Sequence, residues 1–309
     1  MGTRYRCTEY VSTSENRKPT SLQLLRHRAD LRSIAFILLA IACYAVQWLE
    51  VFNHPLLVLA GMLLAFIACI VNHNHQHHRT FVPGWMNSCF GVLVSLAAGV
   101  PGTVVVAMHN HNHHQHNNDQ HDHVRASIVG FRWRWLNLLL FPFIAVAHFA
   151  GEKRAVMRQW KQDSPRLYRQ LMLERLTLYP LLIVLLVAKP QATLLYLGLP
   201  FLFGQWAILA INHVQHVGCI AGSRFNHSRN FVGRFANWWF LNNGFHTAHH
   251  QRPGLHWSKL PDYHDSIVQN ISPELNCRSL LWSLVELYVL PRRHSVALTD
   301  LTHSHEVRS

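Results

Sequence analysis

Histidine, the side chain that most often binds transition metals in proteins, is concentrated in a few places in this sequence. Most of its 25 histidines fall in four groups, at 73–78, 109–123, 213–216 and 246–256. Imidazole nitrogens suit zinc, copper, iron and nickel. The sequence therefore predicts a transition-metal centre that is built from histidine.

Helical spacing sorts the candidate ligands, because residues three or four apart lie on the same face of an α-helix. This spacing relates His73 to His77, His109 to His113, Asn212 to His216, and His246 to both His249 and His250. His114 directly follows His113, so this doublet can reach two different ions, as can His249 and His250. Since one ion is commonly satisfied by about four protein ligands, so many imidazoles indicate two ions.

The remaining polar residues near these groups are weaker candidates for metal ligands. His75 and His111 alternate with candidate ligands and are expected to face elsewhere. In the second half of the 109–123 group, three histidines lie among Asn and Asp, a composition typical of a solvated loop that binds stray divalent ions; they are His116, His121 and His123. The carboxylates that could orient a histidine, none of them singled out by its spacing, are Asp119, Asp122, Asp262 and Asp265.

The elements that carry these histidines are strongly apolar. Hydrophobic residues make up 50% of the 309-residue chain and charged residues 14%, whereas soluble domains carry about 25% charged residues. No Gly/Ser-rich or Pro-rich linker divides the sequence. We therefore expect an all-α integral membrane protein with a single domain over residues 1–309.

About 20 helical residues are needed to cross a bilayer core, and the apolar runs predict about four transmembrane helices in two hairpins. The hairpins span 33–71 and 176–212. The interrupted runs 85–107 and 133–150 are expected to be interfacial helices. The segment 72–175 then holds the first two histidine groups at the membrane surface, and 213–309 forms a histidine-rich cap.

The formal charge of +13 does not indicate nucleic-acid binding, because the basic residues crowd the ends of apolar runs rather than a polar surface. Those before the first run are Arg4, Arg6, Arg17, Lys18, Arg26, Arg28 and Arg32. By the positive-inside rule, the basic tail 1–32 is cytoplasmic. Both termini and all four histidine groups are then expected on the cytoplasmic side.

Four short motifs resemble those of the membrane fatty acid desaturase superfamily, whose three histidine boxes bind two non-haem irons. "HNHQH" at 73–77 is similar to the first box, "HNHNHH" at 109–114 to the longer form of the second, and "HTAHH" at 246–250 to the third. "NHVQH" at 212–216 resembles the Asn-x-x-x-His at the end of the fourth span. The resemblance covers roughly residues 33–270.

This resemblance implies a cap that holds a di-iron site and no catalytic residues beyond the iron ligands. The ligands it implies are His73, His77, His109, His113, His114, His216, His246, His249 and His250, with Asn212 binding through a water. His78 competes with His77, because some members have four residues between the first-box histidines. His111 competes with His109, because the second box here has three residues before the doublet.

The resemblance also implies an O2-dependent reaction on the acyl chain of a lipid in the membrane. Desaturation is the first expectation, and hydroxylation or decarboxylation to a terminal alkene are the alternatives on the same scaffold. Because the sequence has no haem, nucleotide or iron–sulfur motif, electrons are expected from a separate ferredoxin, rubredoxin, or cytochrome b5 with its reductase. A non-enzymatic metal-binding membrane protein is a remote alternative, since the apolar runs are nearly free of ionisable groups.

Overall fold

The computed structural model describes residues 23–290, so the tail residues Arg4, Arg6, Arg17 and Lys18 and the end of the predicted cap lie outside the described residues. The α-helices are α1 (Asp30–Trp48), α2 (Pro55–His77), α3 (Gly84–Ala98), α4 (His114–His116), α5 (Arg134–Asp163), α6 (Pro165–Ala188), α7 (Pro190–Thr193), α8 (Leu199–His216), α9 (Arg234–Trp239), α10 (His246–Gln251), α11 (Leu260–Ile267) and α12 (Leu280–Tyr288). Two π-helices span Val106–His113 and Leu194–Gly198, and 3₁₀ turns span Ala126–Ile128, Trp257–Lys259, Val268–Asn270 and Pro273–Leu275. Two short parallel strands pair, β1 (Asn230–Phe231) with β2 (Asn276–Cys277).

Within residues 23–290, five helical stretches are long and apolar enough to cross a membrane. They are α1, α2, α5, α6 and the continuous stretch Pro190–His216, which contains α7, a π-helix and α8. The chain is thus a membrane protein whose helical fold agrees with the predicted class. Four of the five overlap the two predicted hairpins.

The fifth stretch, α5, differs from the short interfacial helix predicted over 133–150. The helix continues for 30 residues, and Pro142 lies inside it without ending it. Pro142 is buried together with Phe141, which stacks on the ring of His213 in α8 at a centroid distance of 4.6 Å. Packing against α8 therefore outweighs the loss of one backbone hydrogen bond at proline. Similarly, α6 begins at Pro165, which makes the predicted short arm at 176–188 a full-length helix.

Helix α2 lies at the centre of the bundle and carries the first histidine group at its end. Pro55 stands in its first turn, where proline removes no helical hydrogen bond, and the ring of His54 accepts from the backbone N–H of Leu56. Its residues from Leu64 to Gln76 are buried except Asn74, because α1, α3 and α8 pack around them. The helix ends where His78 adopts an extended backbone conformation.

A glycine allows α8 to approach α2 closely. A Cβ atom at Gly204 would lie 2.7 Å from the carbonyl carbon of Ala65 and 2.9 Å from its Cβ. Both distances are shorter than atoms tolerate without movement of one backbone. Since α2 and α8 carry histidines of different groups, this contact also fixes the spacing between those groups.

We expect Gly204→Ala to destabilise the protein by about 1–3 kcal/mol, the usual cost of overpacking a core. The matched control is Gly198→Ala, because a Cβ there meets only ordinary contacts at 3.7 Å and 3.8 Å. Thermal unfolding in detergent, followed by circular dichroism, measures both. Equal midpoints for the two variants would contradict the close packing of α2 on α8.

Polar segments between and after the long helices form the cap. The side chain of Asn230 in β1 binds the backbone N–H and the hydroxyl of Thr247, which fixes α10. Asp30, at the start of α1, accepts from the indole N–H of Trp257 and lies 3.1 Å from Nε2 of His256. The cap is therefore tied to the end of the bundle at which α2 and α8 finish.

Candidate metal centre

The first histidine cluster combines three segments of the chain. His73 and His77 come from the last turns of α2, His109 and His114 from the region of the π-helix, and His249 from α10. One ring nitrogen from each lies within 4.8 Å of all the others. Nε2 of His73 is 2.8 Å from that of His109 and 3.0 Å from that of His249.

The second cluster contains His113, His216, His246 and His250, again with ring nitrogens within 4.8 Å of one another. Nε2 of His246 is 2.9 Å from Nε2 of His216 and 3.1 Å from that of His250. The ring of His113 lies 4.8 Å from the rings of both His216 and His250. Neither cluster includes a carboxylate among the described residues.

Two pairs of consecutive histidines join the clusters. His114 and His249 belong to the first cluster, and their neighbours His113 and His250 belong to the second. The rings of His114 and His250, which belong to different clusters, are only 4.4 Å apart. The arrangement is thus a pair of adjoining nitrogen-lined positions rather than two separate sites.

The π-helix Val106–His113 explains the unusual spacing of the second histidine group. Its hydrogen bonds run from i to i+5 rather than i to i+4, so His109 meets His114, with Nε2 atoms 2.9 Å apart. His113 instead enters the second cluster, although α-helical spacing would pair it with His109. His111 lies outside both clusters, with its ring 6.4 Å from that of Trp160.

A buried carboxylate anchors the start of this segment. Glu174 of α6 accepts hydrogen bonds from the backbone N–H of Thr103 at 2.8 Å and from its hydroxyl at 2.9 Å. Gln170, one turn earlier on α6, also donates to Glu174. Glu174 has no spacing relation to the histidines, so sequence reasoning did not find it.

Two of the predicted ligands make other contacts in the structure. His78 follows the last residue of α2, and its ring packs edge-on against the rings of His27 and His256, at centroid distances of 5.0 Å and 5.3 Å. Asn212 donates from its side chain to the carbonyl of Val124 at 3.4 Å. Of the two first-group alternatives, the structure therefore brings His77 and not His78 to the other histidines.

Hydrogen bonds to Nδ1 orient two members of the second cluster. Asp122 lies 2.6 Å from Nδ1 of His113, and both side chains are fully buried. The backbone carbonyl of His227 accepts from Nδ1 of His216 at 2.9 Å. In both rings the Nε2 atom is thereby left to face the cluster, an arrangement that is common for metal-binding histidines.

The Asp122 carboxylate is held in its charged form. Burial alone would raise its pKa, but the adjacent His113 and the backbone N–H groups of Val124 and Asn118 outweigh burial and lower the pKa to about 2. Asp122 was one of four carboxylates that spacing could not separate. The folded loop shows that Asp122 is the carboxylate that contacts a cluster histidine.

Five cluster histidines outside the long helices are favoured in the neutral form because their pKa values are lowered. Burial, followed by the proximity of other imidazoles, lowers the pKa values of His109, His114 and His250 well below the ordinary value; burial and neighbouring histidines do the same for His246 and His249. A neutral imidazole has a free lone pair to offer to a metal.

Buried nitrogens without partners support the same interpretation. Nε2 of His77 and Nε2 of His113 are buried and have no hydrogen-bond partner within residues 23–290. Such groups are costly unless something binds them. Each cluster thus contains at least one buried nitrogen that is open to a ligand, and the donor set, all imidazole, suits iron or another transition metal.

His227 is a further histidine at the edge of the second cluster. Its buried ring lies 5.1 Å from that of His250, and its Nδ1 is 2.9 Å from the carbonyl of Ser223. It is isolated in the sequence, which offered no signal for it. Its carbonyl accepts from Nδ1 of His216, and its ring stacks on that of His216 at a centroid distance of 6.3 Å.

Comparison with known proteins agrees with this geometry. Residues 23–278 match the protein family described as fatty acid desaturase. The match covers the bundle, both clusters and most of the described cap. No curated protein matches the chain.

Proposed function

The chain belongs to the fatty acid desaturase family, and from that premise we propose that it is a di-iron, O2-dependent enzyme that inserts a double bond into an acyl chain. The family indicates an oxidoreductase of the desaturase type that acts on an acyl lipid in a membrane. The observation that carries the finer proposal is the pair of adjoining clusters, with five and four histidines.

In this proposal each cluster holds one iron. His73, His77, His109, His114 and His249 would bind the first, and His113, His216, His246 and His250 the second. Asn212, one helical turn before His216, would contact the second iron only through a water, and His78 would not be a ligand. Bound iron would supply the oxygen chemistry that breaks an unactivated C–H bond.

The residues of the chain supply positioning. Asp122 and the carbonyl of His227 fix the rings of His113 and His216, and the burial of most of the cluster histidines limits the access of bulk water. Exclusion of water protects a reactive site from side reactions. The acyl chain would approach from among the apolar helices, on which the clusters border.

The overall reaction requires external electrons. Removal of two hydrogens from adjacent carbons gives the double bond, and O2 is reduced to two waters with two further electrons and two protons. We assign these electrons to a ferredoxin, a rubredoxin, or cytochrome b5 with its reductase. The positive-inside pattern supports a cytoplasmic position for the clusters, where such donors are found.

Lipid analysis of cells that express the protein tests this proposal. Cells are fed deuterated saturated fatty acids, and their lipids are compared by mass spectrometry with those of cells expressing His249→Ala. Species that have lost two deuteriums, formed only with the wild type, are the expected result. A hydroxylated product would show that the enzyme is a hydroxylase instead, and an alkene shorter by one carbon would show that it is a decarboxylase. No labelled product from iron-loaded wild type supplied with a donor would refute the proposed activity.

A further inference from the structure

A third group of metal-binding side chains lies in the loop that follows the π-helix, outside both clusters. It consists of His116, Asp119 and His121, and one ligand atom of each lies within 4.8 Å of the other two. Nδ1 of His116 is 3.7 Å from Oδ2 of Asp119, and Nδ1 of His121 is 3.5 Å from Oδ1. None of these three side chains is buried, and His121 is largely open to solvent.

The loop already holds the three side chains together. Asn117 and Asn118 both adopt left-handed backbone conformations, which asparagine tolerates better than most residues. The backbone N–H of Asp119 donates to the carbonyl of His116, and that of His121 donates to Oδ1 of Asp119 at 2.7 Å. Binding an ion would therefore require little reorganisation of the backbone.

The chemistry of these ligands selects a class of ion. Two imidazoles and one carboxylate, with the fourth position open to water, form a donor set that zinc accepts readily. Calcium and magnesium prefer oxygen ligands throughout. We propose that His116, Asp119 and His121 bind a zinc ion at the polar surface, in addition to the metals of the two clusters.

The same loop contacts residues of the second cluster, so a bound ion would also stabilise that cluster; this effect is called bracing. The backbone N–H of Asp122 donates to the carbonyl of Asp119, and the Asp122 carboxylate contacts His113. The side chain of Asn118 reaches the carbonyl of His216 at 3.5 Å. A zinc ion that fixes Asp119 therefore restrains the segment that orients His113 and contacts the backbone of His216.

Zinc counting on the detergent-purified protein tests the site. The protein is equilibrated with Zn²⁺, separated from free ion, and its zinc and iron are measured together by mass spectrometry. We expect one zinc beyond the cluster metals in the wild type, and an affinity at least about tenfold weaker in His121→Ala and in His116→Ala, since even indirect partners of a metal contribute that much. The matched control is His148→Ala, an exposed histidine outside the trio.

Because the substituted histidines are partly or largely open to solvent, their removal should not disturb the core, and an unchanged iron content shows that each variant is folded. Zinc binding that is the same in all four proteins, or absent from the wild type, would overturn the proposed site. Bracing is tested by the rate at which a chelator removes iron. Zinc should slow this rate in the wild type and not in His121→Ala, and equal rates would refute the bracing. Neither result depends on which product the enzyme forms.

Discussion

His109→Ala is expected to abolish product formation, whereas His111→Ala, two residues further along the same π-helix, should retain most of the activity. His109 contributes a ring nitrogen to the first cluster, within 3 Å of those of His73 and His114. His111 lies outside both clusters and packs near Trp160. The two substitutions remove the same type of side chain from the same π-helix, so the variants differ only in which side of the helix loses an imidazole.

Metal content and product formation are measured on both variants. The structure predicts loss of metal with His109→Ala and metal retention close to wild type with His111→Ala. The opposite order would show that the segment is wound as an ordinary α-helix or displaced in register. Equal loss in both variants would indicate that the segment is disrupted by any substitution, and circular dichroism would then show a common loss of helix.

Asp122→Asn is expected to weaken metal retention by about 10–100-fold, the usual effect of removing a partner of a metal-binding histidine. Asparagine keeps the size of the side chain, but it removes the negative charge next to Nδ1 of His113. Its amide can also present an N–H to that ring, which turns the ring nitrogen into an acceptor and disfavours metal binding at Nε2. Metal remaining after equilibration with graded chelator concentrations measures the effect.

Asp262→Asn is the control. From the sequence, Asp262 and Asp122 were equal candidates for a carboxylate that orients a histidine, but Asp262 is exposed on α11. It should retain metal as the wild type does. If Asp122→Asn also retains metal normally while its unfolding temperature falls, Asp122 serves only the fold of the loop, and its proposed role in orienting His113 is wrong.

The sequence was most informative where regular helices carry the histidines. Helical spacing placed His73 with His77 and His246 with His250, and the structure has each pair in one cluster; His249, which spacing also related to His246, lies in the other cluster. The spacing argument failed for His109 and His113, because a π-helix replaces the α-helix at that point. Local propensity does not distinguish the two kinds of helix, and the bonds from Thr103 to Glu174, which hold the chain just before this segment, join residues far apart in the sequence.

Contacts between distant segments could not be read from spacing. Asp122 orients His113 only because the loop folds back over nine residues, and the carbonyl of His227 reaches His216 over eleven. The length of α5 was underestimated for a related reason, since packing on α8 carries the helix through Pro142. Hydropathy located four of the five apolar helical stretches, because apolar length is a property of the local sequence, but it missed the full length of α5.

Iron content is the most direct test of the central claim that the two histidine clusters form a di-iron centre. The protein is purified in detergent from iron-fed cells, and its metals are counted per chain by mass spectrometry. Close to two irons per chain, falling in His109→Ala and unchanged in His111→Ala, is the predicted result. Absence of iron even after anaerobic reconstitution, with variable zinc in its place, would contradict the account.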